Sequence, residues 1–356
     1  MESHDVIPGN RIEVGVLGAT GMVGQQFVRL LEGHPWFQLT WLAASERSEG
    51  RAYESAATWR LASPLPDAIR PMQVESCTPG RGPKLVFSAL DAAAAREIEP
   101  AFAAAGHIVV SNARSYRMDP DVPLLIPEIN GDHLALVKSQ QVTRGWKGAI
   151  VTNPNCSTVV LSIVLAALAR FGLSRVMVTT LQAVSGAGYP GVASLDIVGN
   201  VVPFISGEEE KIESETQKIL GSLHGDRVTP HPMVVSAQTT RVPVVDGHTE
   251  AVSIAFDRPP SVEEARSALA SYRGRPQELR LPTAPCAPIV CLDGPDRPQP
   301  RLDVERDRGM SIAVGRVRRC PVLDVKLVAL GHNTVRGAAG AAILNAELMV
   351  ADGIMT

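Results

Sequence analysis

The chain has 356 residues, with 34 basic and 37 acidic side chains, a formal net charge of −3 and 45% apolar residues. No run of like charge gives it an electrostatic footprint for nucleic acid or an anionic membrane surface, so a small-molecule partner is expected. The length exceeds one ordinary core and points to two domains, while the longest apolar run, Val159 to Phe171, is broken by Ser162 and Arg170 and falls short of the ~20 residues that cross a bilayer.

In chain order, the opening "MESHDVIPGNR" lacks a charged-then-apolar signal pattern, so a cytoplasmic protein is expected. The next stretch, "RIEVGVLGATGMVGQQFVRLLEGHP", reads as a strand over 12–17, a glycine-rich turn, and a helix ending before Gly33 and Pro35. Gly18, Gly21 and Gly24 are spaced to let a pyrophosphate approach backbone N–H groups at the positive end of that helix. A second strand, "FQLTWLAAS", ends in "AASERSEGR". Ser45, Arg47 and Ser48 offer a cation and two hydroxyls suited to a 2′-phosphate, which favours NADP, and Glu46 among them argues for NAD if it faces the ribose. "KLVFSALDAAAAREIEPAFAAAGHIVVSNA" repeats strand, helix and strand. Such alternation implies βαβ units and a parallel sheet.

"TNPNCSTVVLSIVLAALARF" places Cys156 after a segment that cannot continue a helix and before one that can. Cys156 therefore falls in the first turn of a helix, where unpaired N–H groups and the helix dipole favour a thiolate and lower its pKa. The five cysteines include no CxxC pair, so neither disulfides nor a metal site is expected. Beyond the helix come "RVMVTTLQAVSG", a charged helix "GEEEKIESETQKILGSL", and two strand-like runs around "RVPVVDGHTEAVSIAF". A two-residue hairpin turn at Asp246-Gly247 would set Val245 opposite His248, with Arg241 on the same face about 13 Å along the strand, so that the two long side chains bracket a small acid. Glu208 and Lys211, three apart on the charged helix, are surface neighbours. On local evidence that pair is an ordinary solvated contact, and Arg117 an exposed arginine. Leu281 to Pro300 is proline-rich and reads as an ordered loop or arm, and "NTVRGAAGAAILNAELMV" reads as a closing helix that packs back on the first domain.

A thiolate, an NADP site and an anion clamp together specify interconversion of an activated acyl group and an aldehyde through a thioester, with His248 moving protons.

The ordered set "GATGMVGQQF", "SNARSYR", "TNPNCST", "LQAVSGAGYPG", "ISGEEEKIE", "RVPVVDGHTE", "DRPQPRLD" and "GHNTVRGAAGA" closely resembles aspartate-β-semialdehyde dehydrogenase, in particular its archaeal and fungal-type branch. The resemblance implies NADPH-dependent reductive dephosphorylation of β-aspartyl phosphate to aspartate semialdehyde, on the route to lysine, threonine, methionine and isoleucine. It implies an α/β fold: a Rossmann-type dinucleotide-binding domain over 1–155 and 332–356, and an α+β catalytic and dimerisation domain with a mixed sheet over 156–331. A homodimer is implied, and in this branch dimers often pair into tetramers. Carried over by motif, Cys156 is the nucleophile, His248 the acid/base, and Gln182 the residue that orients the acyl intermediate. Arg241 matches the substrate-carboxylate arginine, Glu208 the acid near the substrate amino group, and Lys211, Arg117 and Asn155 the phosphate-binding set. For the cofactor, Gly18, Thr20, Gly21, Met22 and Val23 match the phosphate turn, with Gly24 behind it. Ser45, Arg47 and Ser48 are expected at the 2′-phosphate, and Ser88, Leu90, Ser185, Gly186 and Asn333 near the pyrophosphate and nicotinamide. Thr239-Thr240 departs from the Cys-Asn that branch members carry before the substrate arginine, which bears on substrate identity. Archaeal malonyl-CoA reductases, on the same scaffold, are the alternative. Against malonate, however, Glu208 would be idle.

Overall fold

The computed structural model describes residues 10–355; the opening stretch read for a signal pattern lies outside them except for its last two residues. The strands of the first sheet are β1 (Ile12–Leu17), β2 (Phe37–Ala44), β3 (Val74–Ser76), β4 (Leu85–Ser88), β5 (Ile108–Ser111) and β6 (Ala149–Thr152). The longer helices are α1 (Met22–Leu31), α2 (Ala92–Ala105), α3 (Leu136–Arg144), α4 (Cys156–Leu168), α5 (Glu208–Ile219), α6 (Val262–Ser271) and α7 (Gly340–Ala351). The six strands pair in parallel in the order β3-β2-β1-β4-β5-β6. Parallel strands covered on both faces read as unbroken apolar runs, and β4 and β5 are buried at every position. Phe27 and Val28 of α1 and Leu344 and Leu348 of α7 share the core on one face; Phe102 of α2 packs near Trp41 on the other. The closing helix thus returns to the first sheet.

Strand order reverses between β1 and β4, which opens a crevice at their carboxyl ends. Gly18 leaves β1 with φ +73°, and a Cβ there would lie 2.7 Å from the Ala89 carbonyl. Only glycine lets the two loops approach so closely. Gly24 is buried inside α1, where a Cβ would meet the Gly18 oxygen at 2.3 Å. It seats the helix on the turn and does not line the crevice.

The second sheet is mixed. Its strands are β7 (Leu173–Gln182), β10 (Val234–Arg241), β11 (His248–Phe256), β12 (Ile289–Leu292), β13 (Ile312–Arg319) and β14 (Val325–Gly331), in the order β10-β7-β11-β14-β13-β12; β8 (Ser222–His224) and β9 (Arg227–Thr229) form a separate ribbon. Burial alternates along β7. Val176 and Val178 face α4 in the core, while Met177 and Leu181, with Val234 of β10, stand exposed on the opposite face.

Two expectations change. The runs flanking Asp246-Gly247 are not a hairpin: β10 lies parallel to β7, and β7 separates it from β11. The reason is that Val242–Val245 first pairs with the chain leaving β7, through Val242 N–H to Gln182 O at 3.0 Å and Val184 N–H to Val244 O at 2.8 Å. Gly247, with φ +100°, then turns the chain into β11 on the far side. The proline-rich stretch also contains a strand, β12, which pairs in parallel with β13 as the sheet edge. Prolines are tolerated around an edge strand because its outer N–H groups need no partner.

Gly24→Ala should cost about 1–3 kcal/mol through overpacking against the β1 turn, read as a lower urea midpoint with unchanged m-value.

Candidate active site

The first sheet ends at Thr152, and Asn153-Pro154-Asn155 carries the chain into α4. Asn155 caps that helix: its Oδ1 accepts from the N–H groups of Ser157 at 2.9 Å and Thr158 at 3.3 Å. Cys156 is therefore the first residue of α4, as the sequence implied. The turn over 335–339 presses on it, and a Cβ on Gly337 would lie 2.6 Å from the Cys156 Cβ. Sequence reading passed over Gly337, although a glycine inside an apolar helical run is itself a signal of close approach.

His248 opens β11 and is fully buried, with Nε2 at 3.2 Å from Cys156 Sγ. Its Nδ1 accepts the Ala183 backbone N–H at 3.1 Å. A nitrogen that receives an N–H carries no proton, so the neutral ring holds its proton on Nε2, facing the sulfur. The carbonyl oxygen of the same residue accepts Arg241 Nη1 at 2.7 Å. Arg241 and His248, on strands either side of β7, thus both bond to the backbone of Ala183. Gly186 closes over both: a Cβ there would lie 2.9 Å from Arg241 Nη1 and 3.0 Å from His248 Cε1.

Glu208 heads α5 and forms an ion pair with Lys211. Its Oε1 accepts Asn155 Nδ2 at 2.7 Å and Gln182 Nε2 at 3.2 Å. Burial works against the Glu208 charge, but Lys211, Asn155 and Gln182 hold its carboxyl below the ordinary range. Contrary to the sequence reading, the Glu208–Lys211 pair is largely enclosed. Arg117 is likewise buried rather than exposed, paired with Glu215 at 3.0 Å.

The expectation of a lowered thiol pKa is overturned for the free site. Burial, followed by the Glu208 charge, pushes the Cys156 thiol up to about 12, against the opposing pull of Arg117, Lys211 and Arg241. Burial and the Arg241 charge lower His248 to about 3. Desolvation outweighs the helix terminus here, and the resting pair is thiol and neutral imidazole.

Arg117, Asn155, Cys156, Glu208, Lys211 and Arg241 line one cavity of about 620 Å³, which also reaches Ser185, Gly186 and Asn333. Asn333 joins two loops, accepting the Gly247 N–H at 2.8 Å and donating to Ser185 Oγ at 2.8 Å. Met22, Val23 and Leu90 line both this cavity and a second, of about 830 Å³, that runs along Gly18, Thr20 and Gly21 to Ser45. That second cavity ends at Ser45, Glu46, Ser76 and Thr78. Arg47 and Ser48 do not line it: Arg47 is exposed and Ser48 buried. Ser88 is fully buried below the cavity floor formed by Ala89 and Leu90. Gln182 and His248 lie behind the cavity wall. Neither Thr239 nor Thr240 lines the cavity, and Thr239 N–H donates to Glu209 at 2.9 Å. Among the described residues no group of His, Cys, Asp or Glu is placed to hold a metal ion.

Residues 13–137 match the family model for a semialdehyde dehydrogenase NAD binding domain, and residues 165–336 the model for a semialdehyde dehydrogenase dimerisation domain. An aspartate-semialdehyde dehydrogenase of Archaeoglobus fulgidus is 53% identical over 346 residues, covering 97% of this chain and 100% of the relative. The chain belongs to the aspartate-semialdehyde dehydrogenase family. The fungal relative from Cryptococcus neoformans is 51% identical over 98% of this chain and 99% of its own. The crystal structure of the Candida albicans enzyme with NADP superposes with a TM-score of 0.89 at 44% identity, covering 97% of this chain and 100% of that one. Family membership thus accounts for the two-sheet architecture with the site at the seam between the sheets.

Because the free thiol is raised, its thiolate fraction at neutral pH lies below that of an ordinary cysteine and grows as pH rises. Iodoacetamide alkylation of Cys156, followed by mass spectrometry, should accelerate steadily through about pH 9; a plateau near neutral pH would instead reveal a thiolate–imidazolium pair.

Proposed function

We propose that the protein catalyses NADPH-dependent reductive dephosphorylation of β-aspartyl phosphate to aspartate semialdehyde, in the pathway to lysine, threonine, methionine and isoleucine. The carrying observation is that Cys156, backed by His248 at 3.2 Å, opens into a cavity whose walls bear Arg241, Glu208, Lys211 and Arg117 and which adjoins the nucleotide crevice. The crevice fits a dinucleotide: the Gly18 turn leaves no room for a Cβ, and α1 begins at Met22 with its N-terminus on the cavity. When bound, the cofactor supplies or takes the hydride.

This chain's residues do the rest. Arg241 takes the substrate carboxylate, and Glu208 its amino group. The Cys156 sulfur attacks the acyl carbon as its thiol proton passes to the departing phosphate, the carbon–oxygen bond to phosphate breaks, and Arg117, Lys211 and Asn155 receive the released anion. His248 donates its Nε2 hydrogen bond to the oxygen that gains charge at each tetrahedral stage, and its Nε2–H is the proton source beside the sulfur when the carbon–sulfur bond breaks. Gln182, fixed through Glu208, orients the acyl group. Gly18, Thr20, Gly21, Met22 and Val23 cradle the pyrophosphate; Leu90, Ser185, Gly186 and Asn333 border the nicotinamide end, with Ser88 supporting the floor.

The reading includes a division of the chain into a nucleotide domain, 1–155 with 332–356, and a catalytic domain, 156–331. It places the enzyme in the cytoplasm, and no helix among the described residues is long and apolar enough to cross a membrane. The exposed face of the second sheet, with Met177, Leu181 and Val234, supports a homodimer assembled across that face; pairing of dimers into a tetramer is what the family resemblance adds. Light scattering after size exclusion checks the assembly, and Met177→Lys should shift it toward monomer.

The reverse assay tests the activity: aspartate semialdehyde, NADP and inorganic phosphate, followed by NADPH absorbance. Cys156→Ala should abolish the signal with NADP affinity retained, and His248→Gln should lower the rate by about 10²–10⁴-fold. Turnover only with CoA and malonate semialdehyde would refute the reading. Since Glu46 lines the ribose end of the crevice, Glu46→Ala should raise the NADP-to-NAD ratio of kcat/KM by relieving repulsion of the 2′-phosphate. Separate kcat/KM values with each cofactor check this.

A further inference from the structure

The buried face of α5 continues past Glu208 and Lys211, away from the cavity. Glu215, two turns on, is 1% exposed and does not line the cavity. Its Oε1 accepts Arg117 Nη1 at 3.0 Å, and its Oε2 accepts the backbone N–H of Asn155 at 2.6 Å. One carboxylate therefore ties the arginine of the loop after β5 to the residue that caps the nucleophile's helix. A buried carboxylate needs partners for both oxygens, so neither donor can move without leaving the other arrangement incomplete.

The remaining restraints on Arg117 are weaker where they matter. Nη2 donates to Asn112 O at 2.7 Å, and Nε has no protein partner. One turn beyond Glu215, Lys218 Nζ donates to the carbonyls of Arg117, Asp119 and Val122 at 2.7, 2.8 and 3.0 Å. Lys218 thus holds the loop's backbone, and Glu215 holds its side chain.

We propose that Glu215 is a positioning residue for the phosphate group, acting through Arg117: it fixes the guanidinium relative to Cys156, so that phosphate is held beside the acyl carbon carried by the sulfur. The inference rests on the reading of Arg117 as a phosphate-binding group. An arginine already held in place loses less freedom when it binds an anion, and the anion is registered against the nucleophile rather than merely attracted.

The test is the phosphate KM in NADP-dependent oxidation of aspartate semialdehyde, measured for Glu215→Gln, Arg117→Ala and the double variant. KM for the aldehyde and melting temperature are measured alongside. Glutamine keeps the shape but offers one acceptor where two donors converge. Loss of a charge-assisted bond predicts a rise of about tenfold in phosphate KM for Glu215→Gln, with aldehyde KM changed by less than about twofold. Since Glu215 acts through Arg117, the double variant should be no worse than Arg117→Ala.

A normal phosphate KM in Glu215→Gln, with a raised one in Arg117→Ala, overturns the proposal and leaves Arg117 as a phosphate ligand. A normal value in both overturns the proposal together with that reading. Additive losses in the double variant also overturn it, because Glu215 then acts by another route. Should Glu215→Gln not fold, Arg117→Lys serves instead: it keeps the charge but not the fork that spans Glu215 and an anion, and it should weaken phosphate as Arg117→Ala does. Phosphate binding retained in Arg117→Lys overturns the proposal.

Discussion

The site depends first on Asn155. Its side-chain oxygen caps α4, its amide nitrogen donates to Glu208, and its backbone N–H donates to Glu215. Asn155 itself is non-helical, with ψ 145°, and its side chain takes the N–H groups of Ser157 and Thr158, so α4 begins at one defined residue, and that residue is Cys156. The cap also marks the passage from the first sheet to the core of the second. Cys156, placed there, lines the cavity that adjoins the nucleotide crevice along Met22, Val23 and Leu90.

The electrostatics of the site follow from enclosure more than from the helix terminus. Cys156 and His248 rest as a neutral pair because water is largely excluded from around them, and neither the arginines nor the lysine nearby offset that loss. The Ala183 backbone adds direction: its N–H selects the imidazole tautomer and its carbonyl oxygen anchors Arg241. Arg241 and His248 are therefore both held by the backbone of one residue, on the two peptide units that flank its Cα.

The first sheet was legible because its strands are short unbroken apolar runs separated by glycine turns and helices, patterns that carry their own boundaries. Cys156 was legible for the same local reason. The relation of β10 to β11 was not, since Asp246-Gly247 has the chemistry of a tight turn whether the flanking runs pair with each other or straddle β7. What decided it was backbone pairing between 182–185 and 242–245, a contact with no local signature. The buried state of Arg117 and the role of Glu215 were hidden likewise, because charged residues on a helix read as solvated until the loop that covers them is known. The raised thiol pKa was misjudged because a helix start is visible in sequence and the degree of enclosure is not.

The turn at 335–339 and the helix that follows come from the end of the chain, yet Gly337 packs against Cys156 and α7 completes the core of the first sheet. During synthesis the amino-terminal strands emerge long before these pieces do. Cys156 therefore stays without one wall of its pocket, and the first sheet without one of its covering helices, until residues 335–351 have joined the fold. Closure of that wall takes the sulfur out of water, so the packing that completes the pocket is also what keeps the thiol protonated and slow to react with stray electrophiles.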